Sequence, residues 1–412
     1  MTAHAPAAHD HHDHASTDLT HPMWRDPKRY AWLLGLLVPL LPFMAWGLVE
    51  ATGWGGFWFW GVAFLYVIMP IMDTLIGKDS ANPPDSVVKW LEEDRYYRWC
   101  TYAFLPLQFA ALIGGAWLLA RGDLSVIEKI GLALTLGVVN GVGINTAHEL
   151  GHKRASLERW LSKIALAPTG YGHFFIEHNR GHHVRVATPE DPASSRLGES
   201  FYRFWPRTVA GSLRSSWELE VERFARQGKR PWTLRNDMLN AWAMTLVLFA
   251  ALAIAFGPGI LPYLLLQAVF GFSLLEVVNY LEHYGLLRQK REDDPDGYER
   301  TRPDHSWNSD NVSSNVLLYH LQRHSDHHAH PMRRFQALRH FDEAPELPSG
   351  YGTMIVLAMI PPLWRRVMDP RVLAHYGGDV TRANIHPPAR ARVLRRYGGG
   401  GSGASRTAGA AA

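Results

Sequence analysis

The chain has 412 residues, of which 19% are charged, with one cysteine, 22 histidines and a formal net charge of +4. The lone Cys100 excludes an internal disulfide, a four-cysteine iron site and a zinc finger built from this chain alone, and so small a net charge, without a basic arm, gives no sign of nucleic-acid binding. A mean hydropathy of -0.14 averages over unlike stretches: residues 238–275 contain no Asp, Glu, Lys or Arg, whereas residues 153–235 carry 15 basic side chains.

In chain order, residues 1–21 hold six histidines and several aspartates without apolar periodicity, so a disordered tail is expected over 1–26. Six apolar windows follow, at 30–49, 54–72, 99–120, 130–147, 240–256 and 260–281. Each is close to the roughly 20 residues that cross a hydrocarbon core of about 30 Å. Gly257, Pro258 and Gly259 separate the last two and mark a helical hairpin. With both termini inside, the loops after the first, third and fifth windows face outward and hold only Arg121 and Lys129 as basic residues. The inward side receives Arg25, Lys28 and Arg29, the 15 basic residues of 153–235 and a further cluster after the sixth window, which is the arrangement the positive-inside rule selects. Residues 353–368 are apolar but broken by Pro361 and Pro362, with Arg365 and Arg366 near their end, and are expected to lie at the membrane interface. The run 398–412, almost entirely Gly, Ala and Ser, reads as a flexible tail or linker.

Beyond the first tail, most histidines fall into four clusters. HELGHK supplies His148 and His152 at the end of the fourth window; EHNRGHH supplies His178, His182 and His183; NYLEHYG supplies His283 at the end of the sixth; LQRHSDHHAH supplies His324, His327 and His328. Spacings of i, i+3 and i, i+4 put imidazoles on one helix face within reach of a common ion. The fourth and sixth windows run in the same direction, so His148, His152 and His283 share one depth, and the other two clusters lie in inward segments. Nine imidazoles exceed the needs of one ion and suit two. The fold class expected is an all-α integral membrane protein, six transmembrane helices with a cytoplasmic helical cap that carries a histidine-rich di-metal site, spanning residues 27–397.

An imidazole-rich set suits iron, zinc or copper, and two redox-capable irons beneath apolar helices point to oxygen activation on a greasy substrate. The neighbouring carboxylates Glu149, Glu177, Glu282 and Asp326 are candidates for orienting the rings through hydrogen bonds. HELGH also matches the zinc-protease pattern H-E-x-x-H, but that chemistry would leave six of the nine histidines unemployed. A metal transporter would spread its ionisable residues through the bilayer depth, and haem ligands would face each other across helices within it.

The four motifs resemble those of the membrane-bound, non-haem di-iron alkane 1-monooxygenases, the alkane hydroxylases of the fatty acid desaturase-like superfamily. NYLEHYGL, residues 279–286, is similar to the string that separates this family from desaturases and xylene monooxygenases, which are the alternative reading. The resemblance covers about residues 27–397. It implies terminal hydroxylation of medium-chain n-alkanes to 1-alkanols with O2. It also implies two iron ions, with no haem or flavin in this chain, and electrons from rubredoxin, which a rubredoxin reductase reloads. That rubredoxin would be separate or fused beyond a C-terminal linker. A multi-pass place in a bacterial inner membrane follows, with both termini and the metal site cytoplasmic. Alkanes offer no polar handle, so selectivity for the terminal carbon requires a narrow apolar channel. Trp58, Trp60, Phe104, Phe272 and Leu275 are candidates for lining or closing it.

Overall fold

The computed structural model describes residues 24–398; all but Gly398 of the expected glycine-rich tail and nearly all of the histidine-rich one lie outside the described residues. Within them the chain is helical, with only isolated β-bridges. Six helices are long and apolar enough to cross a membrane: α1 Ala31–Thr52, α2 Gly55–Ile76, α3 Arg95–Ala120, α4 Val126–Gly151, α7 Asp237–Phe256 and α8 Pro258–His283. Each matches one of the six windows read from the sequence, the first two windows beginning one residue before their helices. Between α4 and α7 lie α5 (Ser156–Leu166) and α6 (Phe201–Ala225); after α8 come α9 (His324–Ala329), α10 (Tyr351–Ala358), α11 (Pro361–His375) and α12 (Arg390–Tyr397).

The centre of the bundle is α4. Its first turn is fixed by a capping box, in which Glu128 N donates to Ser125 Oγ at 3.3 Å and Ser125 N donates to Glu128 Oε2 at 2.8 Å. From there it is buried along most of its length: 83% of its most apolar window lies inside the protein, against 17% for α7. The exposed face of α7 carries Leu246, Val247 and Ile254, an apolar surface suited to lipid rather than water.

Close helix approach sets the register. A Cβ on Gly141 would lie 2.9 Å from Gly271 O, and one on Gly137 would lie 2.8 Å from the Phe270 ring and 3.0 Å from Gln267 O. Position 137 therefore meets 267–270 and position 141 meets 271–274, so α4 and α8 run parallel, packed through small residues as membrane helices favour. In α3, Gly115 meets Leu136 and Gln108 meets Gly143, so α3 runs antiparallel to α4. The consequence is that α4 and α8 end at one level, with His148 and His283 on their last turns.

Of residues 353–368, expected to lie at the membrane interface, only the part at the proline break presents an exposed apolar surface. Pro361 and Pro362 do break the run, but α10 before the break is largely buried, its Gly352 backed against Met69 and Pro70 of α2. Only the turn after it exposes Ile360 and Leu363.

Candidate metal centre

Four chain segments meet at the common end of α4 and α8. His148 is on the last turn of α4 and His152 caps it; His283 ends α8. His178, His182 and His183 come from residues 174–185, where a wide-turn helix, Glu177–His182, interrupts the α-helical path. Such bulges are frequent at functional sites. His324, His327 and His328 occupy α9. Tyr319 and His320 just before it both have positive φ, 50° and 53°, and the turn is tied down where the His320 ring meets Phe335 O, 2.9 Å from Nδ1, and Tyr319 Oη donates to Cys100 O at 3.1 Å.

The nine rings form two adjacent groups, the ligand atoms of each within 4.8 Å of one another: His148, His152, His178, His183 and His327 in one, His182, His283, His324 and His328 in the other. In the five-ring group the Nε2 atoms converge, at 2.9 Å between His148 and His327, 3.0 Å between His152 and His178, 3.0 Å between His178 and His183 and 3.1 Å between His183 and His327. In the four-ring group the separations are 2.9 Å for His324 to His328, 3.3 Å for His182 to His328 and 3.3 Å for His283 to His324. The groups touch through the His183 and His328 rings, 4.5 Å apart at their centroids.

Burial, reinforced by neighbouring imidazoles, holds His152, His178, His183, His324, His327 and His328 well below the usual imidazole range. Neutral rings present lone pairs, and so many lone pairs pointed at common centres fit a transition-metal ion in each group. A further cluster, Asp310, His340 and Glu346, is already met by cations of the chain: Lys78 lies 2.8 Å from Glu346 and Arg323 lies 3.7 Å from Asp310.

Of the four carboxylates expected beside the rings, one touches them. Glu282 Oε2 is 3.2 Å from His324 Nε2, while its other oxygen accepts from Tyr351 Oη at 2.6 Å. Glu149 instead pairs with buried Lys153 at 3.0 Å, Glu177 with Arg185 at 2.7 Å, and Asp326 with Arg333 at 2.6 Å and His330 at 2.8 Å. With Glu149 turned to Lys153, the general-base placement that a zinc protease requires is missing. The carboxylate that does hold a ring is Asp191, absent from the sequence reading: His182 Nδ1 donates to its Oδ2 at 2.9 Å, and Ser194 Oγ donates to the same oxygen at 2.6 Å. Burial opposes ionisation of Asp191, but the His182 ring and these hydrogen bonds outweigh it and bring its pKa down to about 2. With its proton on Nδ1, His182 directs the Nε2 lone pair into the group.

An apolar cavity of about 60 Å³ reaches from the spans to the rings. Leu65 and Met69 of α2, Val142 of α4, and Leu274, Leu275 and Val278 of α8 form its walls; His148, His178 and His324 lie at its metal end, with Asn145, Asn279 and Glu282 as its polar lining. Of the five aromatic and aliphatic candidates for the channel, Leu275 is in this lining. Trp58 lies higher, where its carbonyl accepts from Thr135 Oγ1 at 2.7 Å. Trp60 packs with Phe57, their ring centroids 6.2 Å apart, Phe104 is in the core, and Phe272 stacks on Tyr171 at 4.7 Å.

Residues 129–358 match the model of the fatty acid desaturase family. Over 379 residues the chain is 51% identical to the alkane 1-monooxygenase of Acinetobacter baylyi, covering 90% of this chain and 92% of that one. It is 48% identical to alkane 1-monooxygenase 1 of Alcanivorax borkumensis, over 92% and 93% of the two chains. Its identity to the alkane 1-monooxygenase of Ectopseudomonas oleovorans is 46%, over 95% and 97%.

Proposed function

We infer from the membership of this chain in the alkane 1-monooxygenase branch of the fatty acid desaturase family that it is a membrane monooxygenase, which hydroxylates the terminal carbon of n-alkanes with O2. The observation that carries the reading is the junction of two imidazole groups with an apolar cavity enclosed by spans. Medium-chain alkanes are the substrates we assign. The nine histidines would hold two iron ions, His148, His152, His178, His183 and His327 at one and His182, His283, His324 and His328 at the other. Bound there, the irons would supply the reduction of O2 and the oxidising power for a C–H bond. The hydroxylase unit is residues 27–397, flanked by tails, with the metal centre and both termini on the cytoplasmic side of a bacterial inner membrane. Electrons come from a rubredoxin, separate or fused, reloaded by its reductase.

The chain's own residues do the selecting. Leu65, Met69, Val142, Leu274 and Val278 exclude water and offer the substrate only dispersion contacts, so shape alone orients it. A chain entering between the spans presents its end to His148, His178 and His324. Asp191 keeps the proton of His182 on Nδ1, and Glu282 stays beside His324 with Tyr351 fixing it from behind. The test is product analysis with purified protein, octane, O2, rubredoxin, its reductase and NADH, together with metal quantification. Formation of 1-octanol by a protein carrying iron is expected. Secondary alcohols, or a zinc-loaded protein that consumes no oxygen, would refute the assignment.

A further inference from the structure

We propose that a basic cleft between α11, α12 and Gly198 binds the phosphate headgroup of an anionic phospholipid. The cleft, about 120 Å³, is lined by Arg365 and Asp369 of α11 and by Arg392, Val393, Arg396 and Tyr397 of α12. Three guanidinium groups against one carboxylate leave a charge of at least +2 (3 − 1). None of the three guanidinium groups has a hydrogen bond or ion pair among the described residues; Arg396 rests on the Tyr397 ring at 5.2 Å. Asp369 is a weak competitor for them. It accepts hydrogen bonds from Tyr284 Oη at 2.9 Å and Tyr397 Oη at 3.0 Å, and burial pushes its carboxyl above the usual range. Planar guanidinium groups with free donors match phosphate oxygens, which they bind in pairs.

The depth of the cleft favours a lipid as the source of that phosphate. Tyr284 immediately follows His283, the last residue of α8, and its hydroxyl bridges Asp369 to Gly198 N, 3.0 Å away. The cleft therefore sits next to the end of a candidate span. Just before Arg365 in the chain, where α11 begins, Ile360 and Leu363 are 47% and 43% exposed, and exposed Tyr202 donates to Met359 O at 2.9 Å. Apolar side chains for acyl chains next to arginines for a headgroup form an interfacial contact, whereas free phosphate would gain nothing from Ile360 and Leu363.

The full chain would be placed in nanodiscs of phosphatidylcholine with a minor share of phosphatidylglycerol, extracted, and its retained lipids counted by native mass spectrometry. Retained phosphatidylglycerol is expected to fall about fivefold for each arginine removed, in Arg392→Gln alone and further in the Arg365→Gln, Arg392→Gln, Arg396→Gln variant. Phosphatidylcholine should not change. Arg291→Gln with Arg300→Gln, remote basic surface positions, should retain the wild-type amount. Arg392 is exposed, so its single variant tests the cleft even where the triple variant does not fold. The proposal is overturned by equal phosphatidylglycerol retention in Arg392→Gln and wild type, by the same loss in the remote control, or by its complete displacement with millimolar inorganic phosphate.

Discussion

The five-ring group is built wholly of imidazoles, whereas the four-ring group also meets two carboxylates. Among the described residues no carboxylate makes a hydrogen bond or ion pair with His148, His152, His178, His183 or His327. Asp191 stands behind His182 and Glu282 beside His324. The difference teaches that charge compensation at this centre is local and one-sided: a cation in the four-ring group is countered by protein charge, and one in the five-ring group only by neutral donors. Both groups border the cavity, through His148 and His178 on one side and His324 on the other. The asymmetry is therefore presented to the substrate.

Removing rings gives the largest expected effect. His148→Ala or His327→Ala should abolish hydroxylation and empty the five-ring group, and His283→Ala should do the same to the four-ring group, with metal analysis showing loss of one ion and retention of the other. A His148 variant with full activity and metal content would break the division into two groups.

Next comes the carboxylate behind the ring. Asp191→Asn is expected to lower metal affinity or turnover by about 10–100-fold, through the four-ring group alone. Glu149→Gln offers the contrast: it leaves the buried Lys153 with a backbone carbonyl but without its carboxylate counter-ion, so lost thermal stability rather than lost metal should result. Equal metal loss in the two variants would show that local charge does not distinguish them.

These two residues also show where sequence reading reaches its limit. Lipid selects windows by mean hydropathy over a whole turn-averaged length, so six charge-poor stretches were readable as spans without knowing how they pack. The ring clusters were equally open, but not their sharing: the i, i+4 pairs His148/His152 and His324/His328 each meet in one group, whereas His178 and His182, on the wide-turn helix, and His324 and His327 are divided between the two. Adjacency to a histidine was a poor guide to contact, since consecutive helical side chains diverge by about 100°. Glu149 follows His148 and points to Lys153; Glu282 precedes His283 and reaches His324 of another helix. Asp191 lies in a turn after the EHNRGHH cluster, held by Ser194 and by Ala193 N, and no periodicity announces it. Trp58 and Trp60 failed to reach the cavity lining for a related reason: an aromatic on a span is compatible with packing, lipid or a channel until the neighbouring helix is in place.

A smaller effect is expected from changing the wall that both groups share. Val142 is six residues before His148 on α4, about 9 Å along the axis, and lines the cavity. Val142→Phe should shift the preference toward shorter alkanes while leaving metal content unchanged, as product profiles over a series of chain lengths would show. An unchanged profile would separate the cavity from the substrate path and leave the comparison of the two groups without a substrate to feel it.

The smallest effect concerns the register that brings the groups together. Within the spans, Gln108 of α3 donates to Asn140 Oδ1 at 3.1 Å, Asn140 of α4 donates to Gln267 Oε1 at 2.7 Å, and Gln267 of α8 donates to Pro168 O at 2.6 Å. This chain of amides crosses three helices next to the Gly141–Gly271 approach, and it ties the helix bearing His148 to the helix bearing His283. Interhelical hydrogen bonds in bilayers are worth about 0.6 kcal/mol on average, with a maximum near 1.7. Asn140→Ala should therefore cost about 1 kcal/mol in unfolding from mixed micelles and leave both metal groups filled. Close packing of α4 against α8 through glycines would hold the register without the amide. If metal is lost from the four-ring group together with stability, the amide chain, and not glycine packing, sets the level at which the two groups meet.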